Sequence, residues 1–195
     1  MALEAVSPKL SLTEDFESQI KIFWDCMKLV FRVLPSRYAG THVHVGSSGR
    51  DFDLSDAKKV AFAACIYEPY VFSLLPEDRR HSVYCIRNSL QADRMGELLK
   101  QRTSIALKLI SEDIKGCDLG SLIIYMQGAQ TDGKRRRVIW NFLNLIQSPT
   151  SGRPPIHTIE FRGGRPVRGY ARTLAWLSFA VTFIAMAIHE VSITN

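Results

Sequence analysis

The sequence predicts an α+β fold, with one antiparallel sheet covered by helices on one face. Three observations carry this. Long amphipathic or apolar helical runs alternate with short strand-like stretches along the chain. Two of those stretches, Thr41-His42-Val43-His44-Val45-Gly46 and Thr158-Ile159-Glu160-Phe161-Arg162, alternate polar and apolar residues with the period of a strand. A third, Val138 to Ile146, is joined to the second by a Pro/Gly/Ser loop over 148–155, an arrangement that favours antiparallel neighbours.

Taken in order, residues 2–7 read as a short strand ended by Ser7-Pro8. Thr13 to Leu34 reads as an amphipathic helix, with Thr13 as cap and Glu14, Asp15 and Glu17 suiting the positive end of its dipole. Ile20, Phe23, Trp24, Met27, Val30 and Phe31 recur at helical spacing and are expected to face the core, and Pro35 stops the helix. The strand at 41–46 leads into a Ser-Ser-Gly-Arg turn. Leu54 to Ser73 reads as a second helix, capped by Ser55 or Asp53, and Pro76 breaks the chain after it. Leu90 to Ile114 is expected to be helical with an interruption at Gly96, and Leu122-Ile123-Ile124-Tyr125 a short strand within 116–133. A last helix is predicted over about 170–189.

Composition bounds the possibilities. With 195 residues, 46% hydrophobic and 23% charged, the chain is long and apolar enough for one globular domain over 1–195 rather than a disordered segment. The net charge of +6 is concentrated in Lys134-Arg135-Arg136-Arg137 and between Arg153 and Arg172. Nucleic acid is not the expected partner, because the basic run lacks the interleaved aromatics that stack on bases; only Trp140 is close. Cys26, Cys65, Cys85 and Cys117 form no C-x-x-C pair, so reduced thiols are expected rather than a disulfide framework or zinc site. The amino terminus lacks the pattern of a signal peptide, which points to a cytoplasmic location. The apolar run Leu174 to Ile188 is shorter than the roughly 20 residues a bilayer needs and carries Ser178 and Thr182. It reads as a core helix, with a membrane anchor flanked by Arg165, Arg168 and Arg172 as the alternative.

The two alternating strands carry the chemistry. His42 and His44 share one face of their strand, and Glu160 and Arg162 one face of theirs. Placed on one sheet, these faces assemble two imidazoles, a carboxylate and a guanidinium, a set that can hold a divalent cation beside a polyphosphate. His81, His157 and His189 are scattered, so spacing selects no third ligand for a zinc site. Glu160 as a partner favours a harder ion, Mg2+ or Mn2+. Arg137 lies at the entry to the neighbouring strand and could reach a phosphate in the same pocket. The Gly163-Gly164 pair is a turn signal, and no phosphate-binding G-x-x-x-x-G-K motif is present.

On these residues the sequence resembles the amidoligase family, carboxylate-amine ligases with a glutamine synthetase-like catalytic fold. Thr-His-Val-His-Val-Gly and Thr-Ile-Glu-Phe-Arg are similar to its two signature strands. Glu4-Ala5-Val6-Ser7-Pro8 is similar to its Glu-(Ile/Leu)-Val-Ser-Pro segment. Leu75-Pro76 through Arg80, with Tyr84-Cys85, resembles its His-Pro-x-x-Arg … Tyr-Cys stretch, above all in fungal members. Trp140-Asn141-Phe142-Leu143-Asn144-Leu145 resembles its Asn-x-x-Asn-Leu strand.

The resemblance implies a curved antiparallel sheet and an ATP- and Mg2+-dependent reaction. A carboxylate is phosphorylated, and an amine or ammonia then displaces the phosphate to give an amide. His42, Glu160 and Glu4 would ligate metal; His44 and Arg162 would contact ATP phosphates at the catalytic centre, with Arg137 and Arg80 as further phosphate contacts.

The sequence departs from the family at two places. Met1 stands only three residues before Glu4, so the family's Glu-x-Glu strand is expected to be absent. Gly163-Gly164-Arg165-Pro166 follows Glu-Phe-Arg where the family has Gln-His-x-Gly-Thr. These departures raise a second reading, a non-catalytic relative acting as a binding protein, and an open sheet edge that invites self-association.

Overall fold

The computed structural model describes residues 4–34, 36, 39–47, 49–129, 134–146 and 155–193. Parts of the expected 2–7 strand and of the 47–50 turn, Pro35, and most of the 148–155 loop lie outside those residues.

The sheet is small and antiparallel, in the order β1-β3-β2. Its strands are β1 (Thr41–Val45), β2 (Trp140–Asn141) and β3 (Ile159–Gly164). Eight α-helices and two 3-10 turns, Lys134–Arg136 and Leu143–Leu145, complete the described chain, the α-helices being α1 (Phe16–Val30), α2 (Leu54–Leu74), α3 (Glu77–Arg80), α4 (Asn88–Gln91), α5 (Asp93–Gln101), α6 (Ser104–Gly116), α7 (Leu119–Gln127) and α8 (Tyr170–Glu190). The α+β class expected from the sequence is what the chain adopts.

Residues 4–10 are irregular and exposed, apart from half-buried Leu10, and join no strand. Pro8 removes a ladder donor there. The first helix starts at Phe16 with the Asp15 carboxylate accepting from Ser18 N–H, three residues after the predicted cap. Of its predicted core residues only Ile20 and Trp24 are buried; Phe23, Val30 and Phe31 are exposed. One helix face has room against α8 for a narrower stripe than the periodicity suggested. Asp53 caps α2 as predicted, accepting from Asp56 N–H at 2.7 Å.

Two further expectations are corrected. The run Leu122–Tyr125 is helical, because Asp118 caps α7 by accepting from Ser121 N–H, and Leu122, Ile123 and Met126 bury one helix face. A short apolar run fits a buried strand or a buried helix equally by pattern. The strand expected over 138–146 is reduced to Trp140–Asn141 and followed by a 3-10 turn at Leu143–Leu145. Side chains take over the backbone donors there: Gln127 accepts from Phe142 N–H at 2.6 Å and Asn141 accepts from Leu143 N–H at 3.0 Å.

The apolar face of the sheet packs on α8. Phe161 and Trp140 lie 4.9 Å apart by ring centroid, and Phe183 stacks on Trp140 at 4.6 Å. Phe179 and Trp176 close the cluster around Phe161 at 5.2 and 5.6 Å. By length and composition α8 passes as a membrane span, but its aromatic face lies against the sheet. All four cysteines are free thiols.

Candidate functional site

The polar faces of the two signature strands meet as direct neighbours. Register pairs His44 with Glu160, Val43 with Phe161 and Val45 with Ile159. Between Thr41↔Gly164 and Val43↔Phe161 the register shifts, so His42 stands opposite the pair Arg162–Gly163. This bulge turns His42 and Arg162 toward the same carboxylate. On the other side of β3, Asn141 of β2 pairs with Glu160. Three strands therefore deliver His42, His44, Asn141, Glu160 and Arg162 to one place.

Oε1 of Glu160 is the meeting point. Arg162 Nη1 lies at 2.6 Å, His42 Nδ1 at 3.2 Å and His44 Nε2 at 3.7 Å. The other oxygen, Oε2, accepts from Asn141 Nδ2 at 2.6 Å. Glu160 is 2% exposed at its side chain, whereas the imidazoles of His42 and His44 are 32% and 40% exposed. The carboxylate is thus the floor of the site and the histidines its rim.

Electrostatics follow from that placement. Burial pushes the Glu160 carboxyl up, yet Arg162, the Asn141 amide and the two imidazoles outweigh it, so its pKa lies below the usual carboxylate range. His42 is lowered to about 4, first by burial and then by the charges of Arg162 and Arg79. It is a neutral imidazole at neutral pH, the form that offers a lone pair. Asn144 Nδ2 donates to His44 Nδ1 at 3.3 Å, with Thr158 Oγ1 at 3.2 Å from the same nitrogen. An amide nitrogen only donates, so Nδ1 of His44 accepts and Nε2 carries the hydrogen toward the site. Nδ1 of His42 faces the ionised carboxylate at 3.2 Å and donates to it, which leaves the lone pair of that neutral ring on Nε2.

The other expected residues do not join the cluster. Glu4 is exposed in the irregular 4–10 segment. Arg80 is exposed on α3. Arg137 lies over the Tyr84 ring at 4.9 Å, and its backbone carbonyl accepts from Ile86 N–H at 2.8 Å. The arginine that does reach the site is Arg79, 1% exposed, whose Nη2 donates to the Arg162 carbonyl at 2.5 Å and Nη1 to that of Ala39 at 3.4 Å. In a four-residue helix, adjacent arginines point in different directions, and sequence spacing alone does not say which turns inward.

Gln127 was also not foreseen. Its amide donates to the Arg135 carbonyl at 2.8 Å and to Asn141 Oδ1 at 2.9 Å, and its Oε1 takes Phe142 N–H. A glutamine ending an apolar helix was the available signal, hidden by the expectation of a strand.

A family profile described as putative amidoligase enzyme matches residues 1–184. The chain belongs to this amidoligase family. No curated protein and no solved structure matches it. The cluster at Glu160 thus lies on the strands by which the sequence resembles the amidoligases, and Asn141 and Asn144 come from the stretch that resembles their Asn-x-x-Asn-Leu segment.

For an amidoligase, the donor set decides what kind of metal the site could take. The His42 imidazole and Glu160 Oε1 are close enough to share one ion. Among the described residues, no group of three or more His, Cys, Asp or Glu side chains is arranged to hold a metal. Two protein donors suit an ion completed by water and substrate phosphates, as Mg2+ commonly is, rather than a resident metal cage.

Proposed function

We propose that this amidoligase is an ATP-dependent carboxylate-amine ligase working on a glutamine synthetase-like catalytic sheet, with Mg2+ arriving as the nucleotide complex. The observation that carries the reading is the convergence of His42, His44 and Arg162 on one carboxylate oxygen of Glu160, in a chain of this family.

In the reaction, a substrate carboxylate oxygen attacks the γ-phosphorus and ADP leaves. The nitrogen of an amine or ammonia then attacks the acyl carbon, phosphate leaves with the bonding electrons, and the nitrogen loses a proton. Phosphoryl transfer of this kind needs alignment and charge neutralisation more than covalent help from the protein. Arg162 supplies a planar guanidinium fork for phosphate oxygens. His44 offers its Nε2–H to the same anion, held in that tautomer by Asn144. Arg79 adds positive potential from behind the strand and fixes the Arg162 backbone. His42 and Glu160 would hold the Mg2+ that accompanies the nucleotide, which neutralises phosphate charge. Arg80 and Arg137, away from the cluster, carry no role in this scheme, and Glu4 none as a ligand.

A second reading is a relative that binds the anion without catalysing ligation. It is favoured by the saturation of Glu160, both of whose oxygens already have partners from the chain itself.

Hydroxylamine trapping separates the two. The chain is incubated with ATP, Mg2+, hydroxylamine and a panel of carboxylic acids. The ligase reading expects hydroxamate, ADP and phosphate in equal amounts for one acid class, abolished in Glu160→Ala. Nucleotide binding without hydroxamate from any acid favours the second reading.

A further inference from the structure

We infer that Glu160 Oε1 is a single cation seat that Arg162 and a divalent cation occupy in turn, so that arrival of the cation hands the Arg162 guanidinium to the anionic ligand. The inference rests on the nucleotide-site reading above and adds a binding order to it.

The argument begins at the other oxygen. Oε2 is committed to Asn141 Nδ2 at 2.6 Å. The Asn141 amide cannot turn over, because its Oδ1 receives N–H groups from Gln127 and Leu143. Gln127 is fixed in turn by a backbone acceptor, Arg135, and a backbone donor, Phe142. Gln127, Asn141 and Glu160 are all buried. The carboxylate therefore has one oxygen with which to meet a cation, and Arg162 Nη1 is on it at 2.6 Å.

Charge then sets the coupling. Arg79 and Arg162 are both buried, and among the described residues the Nε of each lacks a hydrogen-bond partner. Glu160 is the carboxylate paired with Arg162, and Arg79 pairs with none among the described residues. Two guanidinium groups thus share one carboxylate before any ligand binds. A dication entering at Oε1 adds to an already positive site, so Arg162 withdraws from Oε1 and an anion is needed beside it. The anion finds Arg162 released, with an unused Nε–H. Cation and anion each raise the other's affinity, as linkage requires.

Two binding measurements on the full chain test this. Mn2+ binding is followed by the loss of the free-ion resonance for the native protein and Arg162→Met. Removing the competitor is expected to tighten Mn2+ by about tenfold, within the usual span of site coupling. Sulfate is titrated calorimetrically in the absence of metal into the native protein and Glu160→Gln. The neutral amide frees Arg162, and sulfate is expected to bind about tenfold more tightly. Circular dichroism reports whether each variant is folded, and the Glu160→Gln arm stands if Arg162→Met is not. Equal or weaker Mn2+ affinity in Arg162→Met, or unchanged sulfate affinity in Glu160→Gln, overturns the exchange and leaves the nucleotide reading intact. Mn2+ bound by neither protein overturns both.

Discussion

At Glu160 one buried carboxylate faces an amide, a guanidinium and two imidazoles, and the chain's polar chemistry is organised around satisfying it. Two predictions belong to this scale. Asn141→Asp would place a second carboxylate where a donor now lies 2.6 Å from Oε2. Like charges that close cannot both ionise cheaply, so the variant should lose about 2–3 kcal/mol at pH 8 and less at pH 5, where one of the pair is protonated. Urea denaturation at the two pH values reads this directly.

The second concerns His42, whose pKa falls from 6.5 unfolded to about 4 folded. Between these values the unfolded chain binds a proton that the folded chain does not, so stability rises with pH across that window and is lost as pH falls through it. Glu160, also lowered, acts in the same direction below its unfolded value of 4.5. His42→Gln should flatten the pH dependence of the urea midpoint between pH 6.5 and 4.5; an unchanged slope would remove His42 as its source. The pairing of His42 with His44 and of Glu160 with Arg162 was legible in the sequence because strand alternation has period two. Arg79 was not, because adjacent arginines in one helical turn look alike until the turn is placed.

At the scale of elements, the departures from expectation share a cause. Gln127 and Asn141 replace ladder hydrogen bonds with side-chain ones, so the run expected as a long strand is two residues and a turn. No propensity marks a residue that will serve another segment's backbone. Asn88 does the same on the other side, donating to the Met126 and Trp140 carbonyls and accepting from Trp140 N–H. Asn88→Ala should cost about 2–4 kcal/mol, because it leaves several buried backbone groups unpaired.

The break expected at Gly96 falls instead at Ala92 and at Arg102–Thr103, and Gly96 lies inside α5. A Cβ there would lie 2.2 Å from the Ser89 carbonyl oxygen, where the α4 turn crosses α5. Gly96→Ala should destabilise by more than about 2 kcal/mol. At Gly120, where the nearest atom to a Cβ is 3.6 Å away, the same change should raise stability by about 0.5 kcal/mol. Thermal melts of the two variants give opposite shifts if this packing is right.

For the whole molecule, the core and the site are two faces of β3. Ile159 and Phe161 enter the aromatic cluster with Trp140, Phe179 and Phe183, while Glu160 and Arg162 face the histidines. Register on one face therefore fixes register on the other. The apolar character of α8 was plain in the sequence, and its role as the cover of the sheet explains why that run is aromatic on one side. The exposure of much of α1 was not legible, because helical periodicity says which residues share a face and not whether a neighbour covers it.

The central claim is that this surface binds a nucleotide polyphosphate with a divalent cation. Calorimetric titration of the full chain with a non-hydrolysable ATP analogue, with and without Mg2+, for the native protein and Glu160→Ala, tests it most directly. The account predicts Mg2+-dependent binding by the native protein, lost in Glu160→Ala. Absence of binding to the folded native chain, or equal affinity in both proteins, would contradict it.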